Sequence, residues 1–294
     1  METFTSRKVK IKAKDITERY GFARLHKANI YLSVYEPEEA AGSRIIVICD
    51  TLWDEQERTL VFNTRLARSL AADGYTVVRF DYTGSGNSDE ENGFITFDSL
   101  FSDVQNVVGW CFEQYRSVVF EALISERIGC HITYKNPQLT QTFRKNIFIH
   151  PVLNISHFFT WNFIEREIVN KNAFSEKKLS KPELLERISS GGEVDLNGYT
   201  FNTTFVQEIM GTAELWNSDL PLSGCHYIFD ENFYRNKKKW GERVDTLHSE
   251  VIKMDSIPVS TWDREDLDDD GVFFQTVFTS ISNYLQNGHI LQGR

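Results

Sequence analysis

Residues 79–89 read Arg-Phe-Asp-Tyr-Thr-Gly-Ser-Gly-Asn-Ser-Asp, "RFDYTGSGNSD". The stretch starts as the end of a strand, "YTVVRFD" (75–81), and runs into a glycine-punctuated turn with small polar residues and acids. It is either a cradle for a phosphate or a tight turn beside a site built from other parts of the chain. A dinucleotide-binding fingerprint needs G-x-G-x-x-G directly after the first strand, opening a helix. Here Gly84 and Gly86 are followed at the third position by Asp89, the strand is a later one, and helical spacing resumes only near residue 97. The acid would repel a pyrophosphate. The second reading stands: glycines take left-handed backbone at little steric cost, so they suit a tight, shape-giving turn.

The flanking sequence alternates strand and helix. Upstream, "RIIVIC" (44–49) is a continuous apolar, β-branched run, as expected of a strand buried on both faces. Residues 56–73 show helical spacing through Leu60, Leu66, Ala67 and Leu70, with Gly74 placed to end the helix. Downstream, 97–115 has helical period through Phe97, Leu100, Val104, Val107, Val108 and Cys111. "SVVFEALI" (117–124) and "NIFIH" (146–150) read as strands, with a helix from about 127 between them. Residues 20–36 suit two short strands around a turn. After Pro151 the texture changes: 155–216 is aromatic, charged and helix-rich, with no clean buried strand. "HYIFD" (226–230) and "VIKMDSIPVST" (251–261) restore strand character, and 272–286 reads as a final helix. The pattern predicts an α/β fold with a mainly parallel sheet and helices on both faces. The whole chain, 1–294, is expected to be a single domain. Its core is about 20–154 and 217–290, and about 155–216 is a helical cap inserted over the strand ends where such sheets bind ligands.

Composition narrows the function classes. The 294 residues carry 41% hydrophobic and 13% aromatic side chains, ample for a buried core. The formal net charge of -10 repels phosphate backbones and argues against a nucleic-acid partner. The basic run Lys237-Lys238-Lys239 with Arg235 reads as a solvated face. Cys49, Cys111, Cys130 and Cys225 form no zinc spacing and read as reduced, buried thiols. The N-terminus lacks an apolar signal core, and no run approaches a membrane span, so the expected location is cytoplasmic. "DLDDDG" (266–271) begins like a calcium loop, but the twelfth position holds Val277, so no metal is expected. No cofactor is expected either.

Asp-x-x-Gly-x-Gly-x-Ser after a strand of a βαβ unit resembles the turn found across the α/β-hydrolase superfamily. "DTLWDEQERTLVFNTRLARSLAADGYTVVRFDYTGSGNSD" (50–89) resembles the corresponding stretch of serine-aminopeptidase-like hydrolases. More narrowly, the chain is similar to the exosortase A system-associated hydrolases, bacterial proteins linked to exopolysaccharide gene clusters. "IFIHPVLNISHFF" (147–159), "PELLERISSGGEVDLNGYTFNTTF" (182–205) and "GVFFQT" (271–276) carry that likeness. It implies an α/β-hydrolase fold and a role in extracellular polysaccharide production.

A hydrolase of this fold needs a nucleophile at a sharp strand-to-helix elbow, small-x-nucleophile-x-small. The matching residues are Ser125-Glu126-Arg127-Ile128-Gly129. The flanks Ser125 and Gly129 fit, but Arg127 holds the nucleophile position. A guanidinium stays protonated and has no lone pair for a carbonyl. One type of the exosortase-associated group resembles this chain in carrying Gly-Leu-Arg-Leu-Gly there. Centring the motif on Ser125 puts Leu123 and Arg127 at the flanks and breaks the size rule. No histidine follows the last strand within 260–276. His26, His131, His150, His157, His226, His248 and His289 all read as surface or structural. Asp230 stands near the usual place of the triad acid, but an acid alone cannot run the mechanism. Where many members carry His-Gly for the oxyanion, this chain has Cys49-Asp50-Thr51-Leu52, and Asp50 would oppose negative charge.

What remains at the sheet edge is a polar group suited to a saccharide or zwitterion: Asp50, Thr51, Glu55, Arg127, Trp262 and Asp263. Arg127 is alternatively a salt-bridged strut among those acids. The cap aromatics Phe158, Phe159, Trp161 and Phe163 either line a pocket or pack the cap. Three functions follow in order: a hydrolase-fold protein with an incomplete triad, binding a small polar, saccharide or acyl ligand or a protein partner; an ester or amide hydrolase or acyltransferase using non-standard residues; an interaction scaffold.

Overall fold

The computed structural model describes residues 2–26, 28–39, 41–89, 95–134, 136–174, 179–212, 225–229, 251–253 and 271–287. Its centre is the run that the sequence marks most strongly. β4 (Arg44–Cys49) alternates between two cores. Ile45, Val47 and Cys49 face one, and Ile46 and Ile48 the other. β5 (Thr76–Phe80), β6 (Val119–Glu126), β7 (Lys145–Ile149), β10 (Cys225–Phe229) and β11 (Val251–Lys253) complete a parallel set. β1 (Thr3–Ile11), β2 (Lys14–Leu25) and β3 (Ala28–Pro37) add an antiparallel flank. Among the described residues the nine strands form one sheet in the order β1-β2-β3-β5-β4-β6-β7-β10-β11.

Helices cover both faces because both faces are apolar. α1 (Asp54–Ala72) buries Phe62, Leu66, Ala67 and Leu70 against Ile46 and Ile48. α9 (Gly271–Asn287) joins that core through Phe274, Val277, Phe278 and Ile281. On the other face α2 (Phe97–Gln114) supplies Leu100, Val104, Val107 and Cys111. Thr96 starts α2 with a reciprocal cap: its side chain accepts from Ser99 N while Ser99 Oγ accepts from Thr96 N. α3 (Gly129–Tyr134) and α4 (Pro137–Thr142) lie between β6 and β7.

Three features depart from the sequence reading. Residues 3–11, left outside any element, pair along their length with β2, from Thr3↔Phe22 to Ile11↔Lys14. The helix expected from about 127 begins two residues later and divides in two at α3 and α4. Residues 155–210 contain strands as well as helices. α5 (Ile155–Phe159), a π-helical stretch (Thr160–Glu165), α6 (Arg166–Phe174) and α7 (Lys181–Ser189) lead into a hairpin of β8 (Glu193–Leu196) and β9 (Tyr199–Asn202). α8 (Thr203–Met210) follows. The hairpin turns on Asn197 (φ 56°) and Gly198 (φ 84°), the residue pair that a two-residue turn with left-handed backbone prefers. Asn202 Nδ2 donates to Ile95 O at 2.7 Å, and Phe97 N donates to Glu208 Oε2 at 3.2 Å, tying this region to the start of α2.

Candidate functional site

The strand order reverses at β4, whose neighbours are β5 on one side and β6 on the other. Reversals of this kind open a crevice beyond the carboxyl ends of the strands. Backbone strain is concentrated there. Trp53, Arg127 and His150, just beyond β4, β6 and β7, have φ of 60°, 50° and 48°. The other described non-glycine residues with positive φ, Lys12, Ala13, His26 and Asn197, all sit in hairpin turns. A non-glycine residue in this conformation is destabilised by about 1–2 kcal/mol and persists only where its surroundings hold it.

Arg127 has the backbone of an elbow. It separates β6 from α3, its N–H donates to Ile149 O at 3.0 Å, and its carbonyl accepts from Cys130 N at 3.2 Å. Gly129 must be small: a Cβ there would stand 2.8 Å from Cys49 O and 2.9 Å from Asp50 O. The Arg127 side chain turns back onto the sheet edge. Its Nε lies 3.1 Å from both Glu55 carboxylate oxygens, and Nη2 donates to Glu55 Oε1 at 2.7 Å. Thr51 Oγ1 donates to Glu55 Oε2 at 3.0 Å. Nη1 meets His150 Nδ1 at 2.7 Å, and since a guanidinium only donates, that nitrogen accepts. The Phe158 ring lies under the guanidinium at 5.5 Å. With side-chain exposures of 12% and 10%, the Arg127–Glu55 pair is a nearly buried, two-pronged ion pair rather than a surface contact.

Beneath the elbow is a second charged group, of which the sequence reading singled out Asp50 alone. Asn63 Nδ2 donates to Asp50 Oδ1 at 2.9 Å and to Glu126 Oε2 at 2.8 Å. Arg79 Nη2 donates to Asp50 Oδ2 at 2.5 Å. All four side chains are buried. Burial, then the charge of Asp50, pushes the Glu126 carboxyl up to about 8. Its Oε1 has no hydrogen-bond partner among the described residues. The signal for this group was in the sequence: an arginine inside the apolar strand "TVVRF" and an acid ending β6 each need a buried partner.

The turn at 81–89 is closed on itself. Asp81 Oδ2 accepts from Asn87 N at 2.8 Å, and Oδ1 accepts from Gln56 Nε2 at 3.1 Å. The N–H groups of Gly84, Ser85 and Ser88 donate to Asp89 O, Tyr82 O and Ser85 O. The acid occupies the place where an anion would be cradled. Gly86 (φ 55°) is required, since a Cβ would come within 2.3 Å of Asp81 Oδ2.

The other expected positions fall as follows. Asp50 and Thr51 are buried, and their side chains are taken by Asn63, Arg79 and Glu55. Ser125 is fully buried in β6, with Oγ 2.9 Å from Thr133 Oγ1. Asp230, Trp262 and Asp263 lie outside the described residues, as do His248, His289, the 235–239 basic run and residues 266–270 of the acidic loop. His131 is buried, its Nε2 bonded to Val152 O. His26 and His157 are exposed. Phe159 and Phe163 pack against Trp53 and Phe201, while Trp161 is 65% exposed. Cys49, Cys111 and Cys130 are free and buried. Among the described residues no group of three or more histidine, cysteine or acidic side chains could hold a metal ion. No described helix is long and apolar enough to cross a membrane.

Two cavities open near the carboxyl ends of the strands, one of them at the elbow. One, of about 290 Å³, is lined by Arg127, His150, Asn154, Phe158 and Trp161. The other, of about 480 Å³, lies between the 81–89 turn, the start of α1 and the β8–β9 hairpin.

No protein-family model matches the chain, and no curated protein sequence does. Solved structures match across nearly its whole length. Est1E from Butyrivibrio proteoclasticus with bound ferulic acid superposes with a TM-score of 0.60 at 11% identity, covering 90% of this chain and 97% of that one. Mouse alpha/beta hydrolase domain-containing protein 10 gives 0.56 at 15% identity, covering 92% and 99%. An esterase from Pyrococcus furiosus gives 0.55 at 11% identity, covering 97% and 91%. The chain has the α/β-hydrolase fold.

Proposed function

We propose that the protein is a hydrolase-fold binding protein that holds a small polar ligand under a cap formed by about residues 155–216, with no Ser-His-Asp chemistry at its elbow. One observation carries the reading: Arg127 holds the left-handed backbone of the elbow, and its guanidinium is locked to Glu55 and His150. A permanently charged guanidinium cannot form an acyl-enzyme. The nearest serine in the motif, Ser125, is buried, and its hydroxyl pairs with Thr133 rather than with a histidine among the described residues. Resemblance to the exosortase A-associated hydrolases supports a setting in bacterial exopolysaccharide production; the ligand is a small polar, saccharide or acyl molecule, or a protein partner, and the location is the cytoplasm.

A second reading rests on the names of the structural neighbours, which include esterases and a lipase. Under it, the protein hydrolyses an ester through residues other than the standard triad. A p-nitrophenyl ester panel and a fluorophosphonate probe separate the two. The binding reading expects no turnover above background and no covalent label. Labelling of one serine, with turnover abolished by its substitution with alanine, establishes the hydrolase instead.

A further inference from the structure

The larger cavity has a chemistry of its own. Its walls are aromatic: Trp53 from the start of α1, Tyr199 and Phe205 from the hairpin and α8, and Tyr31 from β3. Its charged lining groups are Asp81 at the turn, Glu57 on the rim and Arg79. Arg79 is already neutralised, its Nη2 lying 2.5 Å from Asp50. Asp81 differs. Its oxygens accept from the neutral groups of Gln56 and Asn87, and among the described residues no cation lies within ion-pair distance of it. Burial raises its pKa, the charge of Asp50 adds to the rise, and the hydrogen bonds from Asn87 and the charge of Arg79 offset only part of it. The start of α1 would attract an anion, but Asp54, Glu55 and Glu57 in its first turn already answer that dipole.

A half-buried carboxylate with no ion-pair partner among the described residues, in a cleft lined by aromatic side chains, favours one class of occupant. A phosphate or carboxylate ligand is repelled by Asp81 and Glu57, and a neutral ligand gains nothing from the charge. An ammonium group gains both from the carboxylate and from the negative faces of the rings. We propose that this cleft binds a small organic cation, an alkyl or quaternary ammonium, between Asp81 and the rings of Trp53 and Tyr199. This rests on the binding reading given above and names the class of its small polar ligand.

The test is calorimetric titration of the full-length protein with choline, and with 3,3-dimethyl-1-butanol, its uncharged carbon isostere, at matched ionic strength. Maltose serves as a neutral saccharide. Choline is expected to saturate a single site, with the isostere weaker by about tenfold or more. Asp81→Asn should abolish the difference between the two. Because Asp81 also braces the turn, Tyr199→Leu provides an independent check and should weaken choline several-fold while leaving the circular dichroism spectrum unchanged. Equal binding of choline and its isostere, binding of neither, or saturation by maltose alone overturns the proposal. The ester panel and the fluorophosphonate probe read the elbow, whereas this titration reads the turn cleft. A protein that hydrolyses esters and also binds choline would therefore overturn only the earlier reading.

Discussion

The turn after β5 and the turn after β6 leave the same edge of the sheet, separated only by β4. The first takes left-handed backbone at Gly84 and Gly86, the second at Arg127. Where glycine carries that backbone, no side chain rises above it, and a cavity of about 480 Å³ remains. Where arginine carries it, the side chain folds over, pairs with Glu55 and leaves a cavity of about 290 Å³. The choice of residue at a strained turn thus decides where the sheet edge is open. In this molecule the open space lies over the turn and the charge lies over the elbow.

The sharpest way to break this comparison is Glu55→Ala. It leaves the Arg127 guanidinium nearly buried without its carboxylate, and about 3 kcal/mol of stability should be lost in urea unfolding. A loss below that of Gly86→Ala would show that the elbow pair is ornamental.

Next comes the proton on Glu126. The folded chain holds it up to about 8, while the unfolded chain releases it near the ordinary value of 4.5. The raised value therefore contributes stability that is complete below about pH 4.5 and is lost as pH rises through about 8. Glu126→Gln keeps the hydrogen-bond geometry without the titration. Its melting temperature should exceed that of the parent by several degrees at pH 8.5, with little difference at pH 5. Parallel pH profiles for the two proteins would refute the assignment.

On the other side of the comparison, Gly86→Ala forces a Cβ against an Asp81 carboxylate held by Gln56 and Asn87. A loss of about 2 kcal/mol is expected, with Gly86→Ser no better. The smallest effect is that of Ser85→Ala, which removes the hydroxyl donated to Gln56 Oε1 at 2.5 Å. About 1 kcal/mol should be lost, since the site is partly open and water replaces the donor.

The elements that were legible in advance share a property. "RIIVIC" became β4 with the same bounds, and the helical spacing of 97–115 became α2. Each is a local pattern that needs only its own neighbours to be read. The β8–β9 hairpin was missed although "VDLNGYTF" contains alternating apolar residues around Asn-Gly. The helix-rich surroundings obscured a four-residue strand. The N-terminal strand was missed for another reason: β1 is an edge strand, mostly exposed and basic, so burial left no apolar alternation to find.

The sequence by itself determined the order of the buried strands and their covering helices, the glycine turn and the presence of a cation at the elbow. It could do so because periodicity, chain stiffness and residue charge are properties of contiguous residues. Only the tertiary structure decided what that cation does. Glu55 and His150 lie 72 and 23 residues from Arg127 in the chain, and Asn63 lies 63 residues from Glu126. Parallel strand pairing brings these residues to one edge, and nothing local in the sequence encodes which acid an arginine will meet after such crossovers.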